Sequence, residues 1–464
     1  MKKPGFNPYL PSWEYIPDGE PYVFGDRVYV YGSHDFFNGY VFCMGDYVCW
    51  SAPVDDLTDW RYEGVIYPRT ADPLNKDGSM NLFAPDVTVG PDGRYYLYYV
   101  FDHVDVVSVA VCDQPAGQYQ FYGYVHYEDG TLLGQKEGDE PQFDPGVLTE
   151  GDTTYLYTGF CGKGDKSRHG AMLTVLGPDM ITIREAPRFV VPGVEYEEGS
   201  GFEGHAFFEA PSIRKKGDTY YFIYSSTPMH ELCYATSKSP REGFVYGGVI
   251  VSNCDLHMGD EPDLPKAYGA NNHGSIVEVN GQWYIFYHRQ TNNTWYSRQG
   301  CLEPIAILED GSIPQVEITS CGPNGGPLPG KGEYPAYIAC HIYDSKREMI
   351  TGAPGAAHVT QDGRDGDENQ GYIAAIHDTV VLGFKYFDFE DVSSITLMIR
   401  GYASGGRFHV RTSPTGPILA TLELHNTNIW TPYTSPIELP KGKQALYLTY
   451  EGGGFAMLHS IRFE

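Results

Sequence analysis

The sequence predicts an all-β protein, a five-bladed β-propeller followed by a jelly-roll-like β-sandwich. Three observations carry this expectation. Helical patterning is scarce over the 464 residues, and short runs rich in Tyr, Val, Ile and Phe recur between Gly, Pro, Asp and Asn clusters. One strand, led by a glycine turn, occurs in five versions. A Gly/Pro-rich stretch then separates these versions from a second set of strands.

The five strands are "GDRVYVYGS" at Gly25, "GRYYLYYV" at Gly93, "GDTTYLYTG" at Gly151, "GDTYYFIYSS" at Gly217 and "GQWYIFYHR" at Gly281. Their spacings are 68, 58, 66 and 64 residues. Each alternates aromatic and aliphatic residues with the period of two that a strand requires. Units of this length accommodate a four-stranded sheet with its turns, and four-stranded sheets repeated radially make a propeller. A blade buries its faces only against its neighbours, so five units must close into a ring. This assigns residues 1–325 to the propeller and 326–335 to a linker. Residues 336–464 hold regular short strands such as "GFKYFDF", "SSITLMIRG", "GRFHVRTS" and "QALYLTYEG", which predict the β-sandwich.

Charge narrows the partners. The chain has 32 Lys+Arg against 60 Asp+Glu, a formal net charge of −28. Such a field repels nucleic acid and anionic membrane surfaces. No run of about 18 apolar residues is present to span a membrane. The start, "MKKPGFNPYLPSWEY", lacks the apolar core of a signal peptide. Nine cysteines occur at irregular spacing with no CxxC pair, as expected of reduced thiols in a cytoplasmic protein.

A second regularity lies just upstream of each repeat glycine. Asp18, Asp86 and Asp144 stand seven residues before Gly25, Gly93 and Gly151. Glu209 and His273 stand eight before Gly217 and Gly281. If the strands they open are innermost in each blade, all five groups converge near the axis at one end of the ring. A turn-forming role accounts for any one Asp before Gly or Pro. It accounts poorly for five matched positions, because clustered carboxylates repel and lose solvation. Acid–base sites build such clusters. Glycoside hydrolysis needs two carboxyl groups flanking the scissile bond, and a third can tune the acid by like-charge coupling. Asp18, Asp144 and Glu209 supply the three.

"NPYLPSWEYIPDGEPYVFGDRVYVYGSHD", "FAPDV", "FDPGVL", "FFEAPSI" and "NNHGSIVEVNGQWYIFYHR" resemble, in order, the motifs of glycoside hydrolase family 43. The resemblance implies a five-bladed propeller that hydrolyses pentose-containing oligosaccharides with inversion. It implies that Asp18 is the general base, Glu209 the general acid and Asp144 the residue that tunes and orients that acid. It likens His273 to an axial histidine that holds calcium together with waters, and it implies no organic cofactor. Arg298, in "SRQGCLEPI", resembles an arginine that contacts the sugar, and Arg289, in "YHRQ", competes for that role. Phe83 stands where the family usually has Trp, implying a narrower aromatic wall, and Asp86 of the same motif is expected to be structural. His34 and Asp35 end the first repeat strand and are candidates for the pocket rim or for a turn.

The implied activity is release of β-D-xylose or α-L-arabinofuranose from xylo- or arabinoxylo-oligosaccharides by an exo-acting enzyme. Two alternatives stay open: a phosphorylase or retaining fructosidase on a similar ring, and a non-catalytic sugar-binding propeller. The C-terminal strands resemble a carbohydrate-binding module of family 6, with Trp430 and Tyr372 as its candidate aromatics. A packing role against the propeller is the alternative for that unit.

Overall fold

A computed structural model describes residues 4–259, 261–364 and 370–464. Five antiparallel sheets form the propeller. The first holds Glu20–Phe24, Arg27–Tyr31, Tyr47–Pro53 and Arg61–Tyr67 in that order. The second holds Asp86–Val89, Tyr95–Phe101, Val104–Cys112 and Gln120–Tyr124. The third holds Gly146–Glu150, Thr153–Thr158, Gly170–Leu176 and Ile183–Pro192. The fourth holds Phe207–Lys216, Thr219–Ser226, Glu231–Ser237 and Val245–Ser252. The fifth has three strands, Ile276–Val279, Gln282–Arg289 and Gln299–Ile305.

The repeat glycines sit where the reading needs them. Gly25, Gly93, Gly151, Gly217 and Gly281 turn the first strand of each sheet into the second, all with positive φ, from 59° to 83°. First strands of adjacent sheets pack on one another around the axis. Gly146 shows how closely: a Cβ there would stand 2.1 Å from the carbonyl oxygen of Pro211 on the next blade. Tyrosines fill the wedges between blades because a long apolar ring can end in a hydroxyl that still finds a partner. Buried Tyr98 donates to Met180 O at 2.6 Å and Tyr224 to His205 O at 2.7 Å.

The ring closes through the N-terminal segment. Tyr9 N donates to Gly300 O at 3.2 Å and Asn7 N to Ser320 O at 2.9 Å. The Asn7 side chain donates to Leu302 O at 2.8 Å and Glu303 Oε1 at 2.9 Å. Residues 7–9 thus run beside the third strand of the fifth sheet. At the axis, Gly19 bridges in parallel to Gly274, joining the first blade to the fifth.

The C-terminal unit is a β-sandwich of two six-stranded sheets around Leu382, Phe384, Leu397, Phe408, Leu448 and Phe463. The expectation of a Gly/Pro linker at 326–335 is corrected here. Leu328–Pro329 pairs in parallel with Val380–Phe389, and Gly332–Pro335 pairs antiparallel with Phe455–Phe463. Leu328 and Tyr334 are buried in the sandwich core. Gly330 permits this, since a Cβ there would lie 2.4 Å from Asp388 O. The glycines and prolines of this stretch serve close approach and edge pairing rather than a free tether.

The two units share a buried ionic contact. Lys385 of the sandwich donates to Asp255 of the propeller at 2.9 Å and to Glu317 at 2.8 Å. His341 Nε2 lies 2.7 Å from the same Asp255 oxygen. Removing one partner of a buried ion network strands the other charges, at a cost of about 3–5 kcal/mol. Lys385→Met should therefore lower stability by about 3 kcal/mol in urea unfolding. An unchanged midpoint would show that this contact is not holding the units together. Among the described residues no helix is long and apolar enough to cross a membrane, and all nine cysteines are free.

Candidate active site

Three chain turns at the same end of the ring place the carboxyl groups. Asp18 and Asp144 take left-handed backbone, with φ of 57° and 44°. Ala210, directly after Glu209, does the same at 64°. Such φ values are uncommon outside Gly, and recur where a backbone is bent to aim a side chain. The equivalent Asp86 and His273 lack this feature.

Asp18, Asp144, Glu209, His273, Arg298 and Phe83 line one cavity of about 280 Å³. The two other residues expected there are elsewhere. Arg289 is buried and donates from Nη2 to Cys340 O at 2.8 Å and Ala339 O at 3.2 Å, so it fastens the sandwich to the propeller. His34 faces away from the cavity, with Nε2 at 3.0 Å from Glu14 Oε1 and Nδ1 at 3.1 Å from Asp46 O. For Arg289 the reason is alternation along its strand, which sends it to the face opposite His288. His34 lies in the connection beyond its strand, which ends at Tyr31. Asp35, next to His34, is the one turned towards the site.

Arg298 is held on two sides. Its Nε and Nη2 donate to the two oxygens of Asp35 at 2.8 and 3.1 Å, and its Nη1 donates to Asp18 Oδ1 at 2.8 Å. The guanidinium also lies over the Phe42 ring, 4.9 Å from its centre. The Asp18 amide donates to His288 Nδ1 at 3.2 Å, while His288 Nε2 donates to Asn271 O at 2.7 Å. That pattern requires a neutral imidazole, and burial does push His288 down to about 3. Burial alone would raise the Asp18 carboxyl. The adjoining Arg298 guanidinium, together with the neighbouring histidines and a Ser33 hydrogen bond, outweighs burial and holds Asp18 below the usual carboxylate range.

Glu209 is the opposite case. It is buried, with only 9 % of its surface exposed. Burial first, and then the negative charge of Asp144, push its carboxyl up to about 8. Asp144 is raised as well, by burial and by Asp18, and its Oδ2 accepts from Ala210 N at 3.2 Å. One cavity therefore contains a carboxyl kept ionised and another kept protonated at neutral pH. Glycoside hydrolysis requires this pairing of base and acid.

His273 sits among the carboxylates. Its Nδ1 is 3.9 Å from Asp18 Oδ1 and 3.8 Å from Asp144 Oδ2, and its Nε2 is 3.7 Å from Glu20 Oε1. Burial alone would lower its pKa, but Glu20, Asp144 and Asp18 raise it to about 9. Calcium takes about 6–8 oxygen ligands. Glu20 Oε1 is buried without a hydrogen-bond partner, so an orphaned oxygen and an imidazole face each other in strongly acidic surroundings. These two fit a cation whose shell is completed by water.

Sequence reading missed Glu20, Asn271, His288 and Trp295. Glu20 had a signal, a second carboxylate only two residues after Asp18 in "PDGEP". It accepts from Arg214 Nη2 at 2.6 Å and from Ser212 Oγ at 3.0 Å. Asp86 lies outside the cavity and ties three blades together. It accepts from Tyr22 OH at 2.7 Å and Val147 N at 2.7 Å. Phe83 begins an aromatic wall: Phe83–Phe143, Phe143–Phe160 and Phe160–Phe208 ring centres are 5.5, 5.5 and 5.1 Å apart.

The profile of glycosyl hydrolases family 43 matches residues 16–313. The chain belongs to glycosyl hydrolases family 43. This family 43 chain is 65% identical over 469 residues to a xylosidase/arabinosidase of Thermoclostridium stercorarium, covering 99% of both proteins. A family 43 arabinoxylan arabinofuranohydrolase from Bacillus subtilis, solved with cellotetraose, shares the fold of both units. That match has a TM-score of 0.53 at 20% identity and covers 98% of this chain and 97% of that one. A β-xylosidase/α-arabinofuranosidase from a compost metagenome, solved with xylotriose, matches at 25% identity with a TM-score of 0.53. It covers 68% of this chain and 98% of that one, and is described as a calcium-free form. The family 43 chain is a glycoside hydrolase.

Proposed function

We propose that this enzyme releases terminal β-D-xylose, α-L-arabinofuranose or both from xylo- or arabinoxylo-oligosaccharides, with inversion. The observation that carries the reading is the pairing of an arginine-held Asp18 with a burial-raised Glu209 in one cavity. The substrate class follows the 65% identical relative. Glu209 gives its proton to the glycosidic oxygen as the bond to the anomeric carbon breaks. Asp18 takes a proton from the water that attacks that carbon from the opposite face. The products are a free alcohol and a hemiacetal of inverted configuration. Asp18 then gives up the proton it took from water, and Glu209 regains one from solvent, so the site is reset with no net change in protons. Arg298 keeps Asp18 ionised and orients it. Its donors to Asp35 and Asp18 are engaged, so any sugar contact is added to that role.

The reading is tested with nitrophenyl β-xyloside and α-arabinofuranoside, followed by xylo- and arabino-oligosaccharides. Turnover of at least one pentoside supports it, and turnover of neither overturns it. Cytoplasmic placement belongs to the same proposal, supported by nine thiols that all remain free.

Asp144 is proposed as the residue that keeps Glu209 protonated. Asp144→Asn removes a neighbouring negative charge, so the Glu209 pKa falls and activity is lost at lower pH than in the wild type. The alkaline limb of kcat/KM should move down by about one unit. An unmoved limb would remove Asp144 from the tuning role.

His273 and Glu20 are proposed to hold a calcium ion, which would supply a fixed positive charge at the axis. A ring nitrogen that binds metal must be unprotonated, so binding should strengthen as pH rises through about 9. Chelation should lower the melting temperature, and calcium alone should restore it. Unchanged melting after chelation would leave the imidazolium as the axial charge.

A further inference from the structure

The rim of the cavity includes a residue that the propeller alone does not position. Trp295 lines the cavity and is 36 % exposed. It belongs to the connection between the last two strands of the fifth blade, and this connection is clasped by the sandwich. Asn293 takes left-handed backbone, φ 50°, and its side chain is buried. Its Nδ2 donates to Ala353 O at 3.0 Å, and its Oδ1 accepts from Gly352 N at 2.9 Å. Val359 N donates to Thr291 O at 2.9 Å. Gly352, φ 84°, lies against the indole: a Cβ there would stand 4.0 Å from Trp295 Cδ1 and Nε1. Two further bonds fix the clasping loop to the propeller, from Tyr268 OH to Ala357 O at 2.6 Å and from Thr351 Oγ1 to Gly269 O at 3.1 Å.

On the propeller side the same connection is held at its far end. Asn292 Nδ2 donates to Phe37 O at 2.9 Å, and Ser297 Oγ lies 3.0 and 2.9 Å from Phe36 O and Phe37 O. Arg298 follows directly, so the segment that sets the Asp18 partner also carries the exposed indole.

We propose that Trp295 is a stacking platform for the leaving-group sugar of a pentose oligosaccharide, and that the 351–359 loop of the sandwich holds it in place through Asn293. The proposal rests on the pentosidase reading above. The catalytic carboxyls occupy the interior of the cavity and take the terminal sugar. The next ring lies towards the rim, where an indole face suits the apolar face of a neutral pyranose or furanose. The sandwich thereby becomes part of the specificity apparatus without touching substrate. Asn293 is a positioning residue, and its side chain is the joint between the units at this point.

The test compares xylotriose with β-xylosyl fluoride, whose leaving group leaves the rim empty. The readout is the ratio of the two kcat/KM values. Trp295→Ala should lower that ratio about tenfold, the effect of roughly one lost aromatic contact. Asn293→Gly keeps the left-handed backbone while deleting both side-chain bonds, and should lower the ratio at least about threefold, mainly through KM. Asn293→Asp retains the acceptor for Gly352 N and should recover part of the loss. Ratios that match the wild type in both Trp295→Ala and Asn293→Gly, with melting preserved, overturn the proposal. Failure of the wild type to cleave the fluoride as well as xylotriose would instead count against the pentosidase reading.

Discussion

Asp18→Asn should lower kcat/KM on xylo-oligosaccharides by about 10³–10⁴-fold while the protein stays folded. The amide has nearly the shape of the carboxylate, and its oxygen can still accept from Arg298. It cannot take a proton from water. The loss should fall on kcat, because the bound substrate is held by groups that remain. An external anion such as azide attacks without losing a proton, so it should restore part of the rate. The Arg298 contact gives the substitution a second signature. With the Asp18 charge gone, Arg298 is balanced by Asp35 alone, and the acid limb of the pH profile set by Asp18 should vanish. Near wild-type turnover would remove Asp18 from the base role.

Glu209→Ala should cost about 10³–10⁴-fold on xylo-oligosaccharides, and much less on aryl glycosides with acidic leaving groups. A nitrophenolate departs without being protonated, whereas a sugar alkoxide does not. Leaving-group dependence therefore separates loss of the acid from general damage. The pH profile gives the sign independently. With Asp18 as the proposed base, activity needs it ionised and should fall as pH drops through the depressed Asp18 pKa. With Glu209 as the proposed acid, activity needs it protonated and should fall as pH rises through about 8. In the alanine variant the alkaline fall should disappear for aryl substrates. An equal loss on both substrate types would indicate that Glu209 supports the fold or orients another group.

Much of this architecture was legible in the sequence because repetition amplifies weak signals. One Asp before a turn says little. Asp18, Asp144 and Glu209 at matched offsets from repeat glycines identified the start of the first strand in three blades, and they line one cavity. His273 in the fifth blade joined them on the same count. Asp86 shared the offset without sharing the role, since its oxygens are consumed by Tyr22 and Val147 between blades. Offset fixes where a residue sits on its strand, while the backbone turn at that residue fixes where it points. The left-handed φ at Asp18 and Asp144 is that turn, and a sequence does not display it.

The arginines divide for a similar reason. Arg289 and Arg298 lie nine positions apart around one hairpin. Arg298 reaches Asp18, and Arg289 reaches carbonyls of a unit that begins some fifty residues later in the chain. No local pattern encodes a contact made by a second unit. The supposed linker failed on the same ground, because Leu328 and Tyr334 look unremarkable until strands from residues 380–389 and 455–463 arrive beside them. Trp295 was passed over because its importance comes from Gly352 and Asn293, residues that no propeller repeat contains.

The measurement closest to the central claim is the configuration of the first sugar released. Hydrolysis of a β-xyloside can be followed by proton NMR before the anomers equilibrate. If Asp18 activates water while Glu209 protonates the leaving oxygen, the carboxyls flank a space wide enough for that water, and α-xylose appears first. Initial release of β-xylose would mean that a carboxylate attacks the anomeric carbon directly, and would contradict the roles given to Asp18 and Glu209.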